Sequence, residues 1–149
     1  MKKLYAVFDT NVLVSSLMSK RDDSPTVVLL DYVLGGQIVL LYNNAIVEEY
    51  DDVLHHKKFE FSDDRIDAVL ELVKMGICVE PTPSGAFFPD ADDAVFYEVA
   101  LSKEGSYLVT GNQKHFPKSP IVVTPAEMLQ IVREESIGSN PENSTNLNN

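Results

Sequence analysis

An α/β domain, a three-layer α/β/α sandwich around a mainly parallel five-stranded sheet, is predicted by three observations. Short apolar runs alternate with helical patterns along the chain. None of the runs alternates cleanly between apolar and polar, as expected of strands covered on both faces. And 149 residues suffice for one sizeable core but not for two.

The strands are read at residues 3–8 (KLYAVF), 37–42 (QIVLLY), 76–80 (GICVE), 106–110 (SYLVT) and 120–123 (PIVV). Helical patterns lie near 12–18, 25–34, 45–56, 63–74, 92–103 and 125–134. Asn44, Ser62, Asp90 and Thr124 suit N-caps, and Pro125 suits the first helical position. This order calls for right-handed crossovers between parallel strands. The domain is expected over residues 1–135, with residues 136–149, SIGSNPENSTNLNN, as a disordered polar tail.

Composition narrows the function. Hydrophobic residues at 44% and charged residues at 23% belong to a folded globular chain. The longest apolar region, VVLLDYVLGGQIVLLY, is interrupted by Asp31, Gly35 and Gly36, so no run reaches the ~20 residues of a membrane helix. The start, MKKLYAVFDT, lacks the apolar length of a secretory signal, and cytoplasmic residence is the expectation. Cys78 stands alone, which excludes an internal disulfide and a Cys-based zinc cluster. In the apolar segment GICVEP it reads as a buried small hydrophobe. The formal charge of −11 argues against a broad basic surface for nucleic acid. Its distribution says more: residues 43–64 carry seven acids and two lysines, and residues 80–98 carry five acids and no Lys or Arg. A divalent cation among converging carboxylates would reverse the local charge.

Four segments carry the chemistry. In FDTNV, Asp9, Thr10 and Asn11 end the first strand, where parallel sheets bind ligands; Asp9 or Asn11 also suits the cap of the next helix. In NNAIVEEYDDVL, a helical wheel puts Ile46, Tyr50, Val53 and Leu54 on one face. Glu49 lies at its margin, while Glu48, Asp51 and Asp52 point away. In PDADDAVFYEVAL, Asp90 reads as a cap. Asp93 borders the buried face with Phe96, Tyr97 and Ala100, Asp92 can share its role, and Glu98 looks outward. In TGNQKHF, Thr110 and Asn112 again close a strand with a hydroxyl and an amide, around the turn at Gly111. One shared polar pocket is the economical account. Carboxylates without a Cys or His cluster suit Mg²⁺ or Mn²⁺, and such ions promote phosphodiester hydrolysis.

At FDTNVLVSSL, EEYDDVL, DADDAVFYEVA and YLVTGNQKHF the chain resembles the PIN-domain family, metal-dependent ribonucleases that include toxins of toxin–antitoxin pairs. The likeness covers about residues 3–134. It implies Asp9, Glu49 and Asp93 as catalytic and metal-binding acids, with Asp90 as an additional one. Thr10, Asn11 and Thr110 become supporting polar positions. Asn112 stands where many members have a fourth acid, and an amide there still coordinates a metal or its water. RNA as substrate, an antitoxin as partner and a homodimer follow as expectations of the resemblance, as does a binding module that hardly cleaves. Lys114 and His115 are candidates for phosphate contact, with His55, His56, Lys57 and Lys58 as a second group. A dehalogenase-type phosphatase needs an Asp at position 11, where this chain has Asn. Neither GxxxxGK[ST] nor GxSxG occurs.

Overall fold

The computed structural model describes residues 2–81 and 83–138. Five strands, β1 (Leu4–Phe8), β2 (Ile38–Tyr42), β3 (Ile77–Cys78), β4 (Tyr107–Val109) and β5 (Val122–Val123), form one all-parallel sheet in the order β3-β2-β1-β4-β5. The helices are α1 (Thr10–Met18), α2 (Pro25–Leu34), α3 (Asn44–Leu54), α4 (Asp63–Lys74), α5 (Ala94–Leu101) and α6 (Pro125–Gly138). Ala6, Val7 and Phe8 are successive residues of β1, and all three are fully buried. Since successive strand side chains point to opposite faces, both faces of the sheet must be covered. The result is the expected α/β/α sandwich. None of the described helices is long and apolar enough to cross a membrane.

The topology places a crevice at the middle of the sheet. From β1 the chain moves outward to β2 and β3, then returns past β1 to β4 and β5. The carboxyl ends of β1 and β4 therefore form the switch point at which open α/β sheets bind ligands. Their register pairs Phe8 with Val109, and the Asp9 amide donates to the Val109 carbonyl at 2.9 Å. Asp9 and Thr110, the next residues, are thereby set side by side.

Several local readings change. α3 is capped by Asn43, whose side chain accepts from the Ile46 amide, rather than by Asn44. The helix expected at 92–103 begins as a 3-10 turn, Ala91–Asp93, before α5, and Asp90 caps that turn through the Asp92 amide. α6 continues to Gly138, past the expected end at 134 and into the segment read as tail. The rest of that segment, 139–149, lies outside the described residues. Thr124 and Glu127 exchange side-chain and backbone hydrogen bonds as a capping box. Glu98 does not simply face water: its carboxylate accepts from the Ser84 amide at 2.9 Å and anchors the connection before α5.

The strand read at 76–80 is only Ile77–Cys78, at the sheet edge. Cys78 is exposed there, contrary to its reading as a core residue. A run can be apolar because it pairs at an edge, without a layer closing over both its faces. Gly76, just before this strand, lies against β2: a Cβ there would stand 1.9 Å from the Leu40 carbonyl oxygen.

Glu60 has φ 55° after the 3-10 turn Lys57–Phe59, a left-handed conformation unfavourable to a residue with a Cβ. Glu60→Gly is expected to raise stability by about 0.5 kcal/mol, because relief of strain outweighs the added freedom of the unfolded chain. A denaturant midpoint moving upward with unchanged slope checks it.

Candidate active site

Two hydroxyls and a tyrosine assemble the acids at the switch point. The Tyr50 hydroxyl, fully buried on α3, donates to the Phe8 carbonyl, docking that helix onto the end of β1. Tyr50 also meets Phe96 of α5, with ring centroids 6.2 Å apart. Each of these anchors is next to, or near, an acid in sequence: Phe8 to Asp9, Tyr50 to Glu49, Phe96 to Asp93. Core packing of the apolar neighbours thus brings the carboxylates to one place.

Asp9 stands at the N-cap position of α1 but its side chain makes no cap hydrogen bond. Instead it accepts from the Thr110 hydroxyl at 2.7 Å. Asp9 is 6% exposed and Thr110 fully buried. Thr10 donates to the Glu49 carboxylate from the other side. The two Thr residues that close β1 and β4 therefore each hold an acid, and the Asp9 side chain is engaged by Thr110 instead of capping α1.

The charges oppose one another. Burial raises the Asp9 carboxyl above its ordinary value, partly offset by the Thr110 hydroxyl, the Thr10 amide and His115. Burial raises Glu49 as well, and the charges of Asp9, Asp93 and Asp92 add to the effect against the Thr10 hydrogen bond. Asp93 is raised by burial, then by Asp9 and Asp90. Carboxylates raised by burial, with Asp9 raising both Glu49 and Asp93, are groups that a cation would relieve.

The remaining candidates divide. His115, at the end of the 3-10 turn Gln113–His115, has Nδ1 3.6 Å from an Asp93 oxygen and so joins the acids. Lys114 lines a different shallow pocket with Phe116, Pro117 and Lys118. Asp92 lies with Glu48, Glu49 and Asp52 along an acidic groove of about 370 Å³ between α3 and the start of α5. The Asn112 amide donates to the Thr110 hydroxyl at 2.9 Å. Asn112 also lines a pocket of about 440 Å³ together with Asn11. Three of the HHKK group are engaged elsewhere: His55 pairs with Asp51 and Asp63, Lys58 stacks on Phe59, and the His56 ring packs against Phe59.

Two contributors had no clear mark in the sequence. Tyr50 was read only as an apolar face residue, although a buried tyrosine hydroxyl needs a partner. Thr26, from α2, lines the Asn11 pocket, and nothing in SPTVVLL signals that approach.

Thr110→Val tests the hydroxyl. It removes a hydrogen bond that holds the Asp9 carboxyl down and leaves the Asn112 amide unpaired, for a loss of about 1–2 kcal/mol in stability. With Asp9 pushed further up, the acidic limb of the activity profile should shift to higher pH; an unshifted limb would separate Thr110 from the chemistry.

The donor set, three carboxylates with hydroxyl and amide support, fits a hard divalent cation. Among the described residues no three Asp, Glu, His or Cys side chains already close on a common point as ligands do. The family model for the PIN domain matches residues 5–114. No curated protein and no solved structure matches the chain.

Proposed function

Because the chain belongs to the PIN-domain family, whose members are generally nucleases that use divalent metals, we propose that it is a metal-dependent endoribonuclease acting on RNA phosphodiester bonds. The observation that carries this reading is geometric: the Thr110 and Thr10 hydroxyls hold Asp9 and Glu49 at the β1/β4 switch point, with His115 3.6 Å from Asp93 beside them. Mg²⁺ or Mn²⁺ would be held by these three, with Asp90 and Asn112 at the margin. When bound, the ion supplies a water of lowered pKa and neutralises the scissile phosphate.

The chain's own groups do the rest. Thr110 and Thr10 orient Asp9 and Glu49, and their hydrogen bonds partly offset the rise that burial imposes on each carboxyl. His115 stands 3.6 Å from Asp93 at the rim of an otherwise acidic site, where a ring N–H can donate to a phosphate oxygen. Asn11 and Asn112 offer neutral donors on the adjoining side.

A toxin role within a toxin–antitoxin pair is part of the proposal. The groove lined by Glu48, Glu49, Asp52 and Asp92 would receive an Arg or Lys of the antitoxin, which would compete with the metal for Glu49. Co-purification with the product of the neighbouring gene, lost in Glu48→Lys/Asp52→Lys, is the expected outcome.

The nuclease reading is tested with end-labelled single-stranded RNA in Mn²⁺, Mg²⁺ or EDTA. Cleavage should require the metal and both Asp9 and Asp93. The second reading is a PIN-like module that binds RNA or a protein and hardly cleaves; the absence of a fourth acid at Asn112 favours it. Metal-dependent thermal stabilisation without cleavage of any RNA would support that module.

A further inference from the structure

The side chains of the 3-10 turn Gln113–His115 lead to different places. With three residues per turn, they spread about 120° apart. His115 comes to 3.6 Å from Asp93, at the acids. Gln113 ties the turn to β5 and α6, donating to the Val122 carbonyl at 3.1 Å and to the Glu127 carboxylate at 3.2 Å. Lys114 meets neither group. It lines a pocket of about 440 Å³ with Phe116, Pro117, Lys118, Ser119 and Val122.

This pocket joins apolar walls to free positive charge. Phe116, Pro117 and Val122 supply the walls, and Phe116 is braced by an edge contact with Phe88, the ring centroids 6.4 Å apart. Lys114 and Lys118 are the charged residues of its lining, and among the described residues neither forms an ion pair. Other cations are engaged: Arg21 by Asp23, Lys58 by the Phe59 ring and Lys103 by the Tyr5 ring. The surrounding sequence keeps carboxylates away. Residues 105–126 contain Lys114, His115 and Lys118 and not one Asp or Glu, in a chain of net charge −11. Glu127, the next acid, is taken up by the Thr124 amide and by Gln113.

We propose that this pocket seats one nucleotide of a single-stranded RNA beside the scissile linkage, its base against Phe116, Pro117 and Val122 and its phosphate between Lys114 and Lys118. The proposal rests on the nuclease reading for its substrate. A strand with its scissile phosphate at Asp9, Glu49 and Asp93 carries further phosphates across an acidic surface. A metal neutralises charge only at the acids, so those phosphates need cations of the protein's own. An unstacked base needs an apolar surface as well, and the volume lies in the range of small-ligand pockets. Continuity with the acids through a single turn favours RNA over an acidic peptide.

The test separates the seat from the cleavage. Binding of a mixed-sequence single-stranded RNA octamer to the full chain is followed by fluorescence anisotropy in EDTA, which stops metal-dependent hydrolysis. Lys114→Gln/Lys118→Gln should weaken binding about tenfold and flatten the slope of log affinity against log salt by about 0.7 per lysine. Lys74→Gln, beside Cys78 at the opposite edge of the sheet, should change neither. Ser119→Phe fills the pocket and should weaken the octamer but not an abasic strand of the same length. In Mn²⁺ the double variant should raise KM for RNA with kcat near that of the wild type. Equal affinity and equal salt slope in the wild type and the double variant overturn the seat, as does a loss matched by Lys74→Gln. So does a Glu-rich peptide that binds more tightly than RNA and is lost in the double variant, which makes the pocket the dock of an acidic partner. Wild-type cleavage with KM unaltered in the double variant removes the seat and leaves the nuclease standing. Lysine-dependent binding by a wild-type protein that cleaves no RNA upholds the seat and removes the nuclease.

Discussion

Asp9→Asn should lower metal-dependent RNA cleavage by about 10³-fold or more, equivalent to about 4 kcal/mol of transition-state stabilisation, while making the metal-free protein more stable. The two effects have one origin. Asp9 is almost completely buried, and its carboxyl is raised by that burial. Its charge in turn raises Glu49 and Asp93. A carboxyl whose folded pKa is raised stabilises the fold below its unfolded value and loses that contribution as pH rises through the folded value. Metal-free wild-type protein should therefore weaken as pH climbs from about 4 toward neutrality. Asparagine keeps an acceptor for Thr110 but carries no charge. At pH 7 in EDTA the variant is expected to melt about 3 °C higher, for a gain of about 1 kcal/mol. Mn²⁺ should raise the melting temperature of the wild type and leave that of Asp9→Asn nearly still. Scanning calorimetry with and without EDTA decides it: a variant that melts lower at neutral pH, with no metal response in the wild type, would make Asp9 a purely structural residue.

Gly76→Ala should cost about 3 kcal/mol, or roughly 9 °C in melting temperature. The added methyl would stand 1.9 Å from the Leu40 oxygen and 2.8 Å from its carbon. Both are backbone atoms of the central sheet, so no side chain can swing aside. The chain must instead pull β3 away from β2, losing the Leu41–Ile77 and Tyr42–Cys78 pairing. Because β3 is an edge strand, the loss stays local. Hydrogen exchange should quicken at Val79, whose amide donates to Tyr42, while amides of β1 and β4 keep their protection until global unfolding. A variant as stable as the wild type would mean that this approach relaxes at no cost.

Reading the chain by period and punctuation located every strand and helix, because apolar runs and caps are local signals. It also brought Asp9, Glu49 and Asp93 forward, since Asp9 and Glu49 adjoin the buried Phe8 and Tyr50 and Asp93 lies one helical turn from the buried Phe96. Where the chain departs from that reading, the cause is a property of the assembled sheet. GICVE is apolar in composition, yet its edge position exposes Cys78. Asn43 outcompetes Asn44 as cap because its side chain reaches the Ile46 amide. Glu98 is claimed by Ser84, a residue 14 positions away. Thr26 becomes part of a pocket only because α2 begins beside the ends of β1 and β5, which no local pattern encodes.

The hydrogen bond between Thr110 and Asp9 joins residues 101 positions apart in the chain, and this separation has a consequence for biosynthesis. Asp9, Glu49 and Asp93 all precede β4 in the chain, and β4 must slot in as a central strand beside β1. Contacts of such range form late. A nascent chain of a hundred residues thus holds all three acids without the Thr110 hydroxyl that receives Asp9, so the arrangement at the switch point is completed only once β4 has been added.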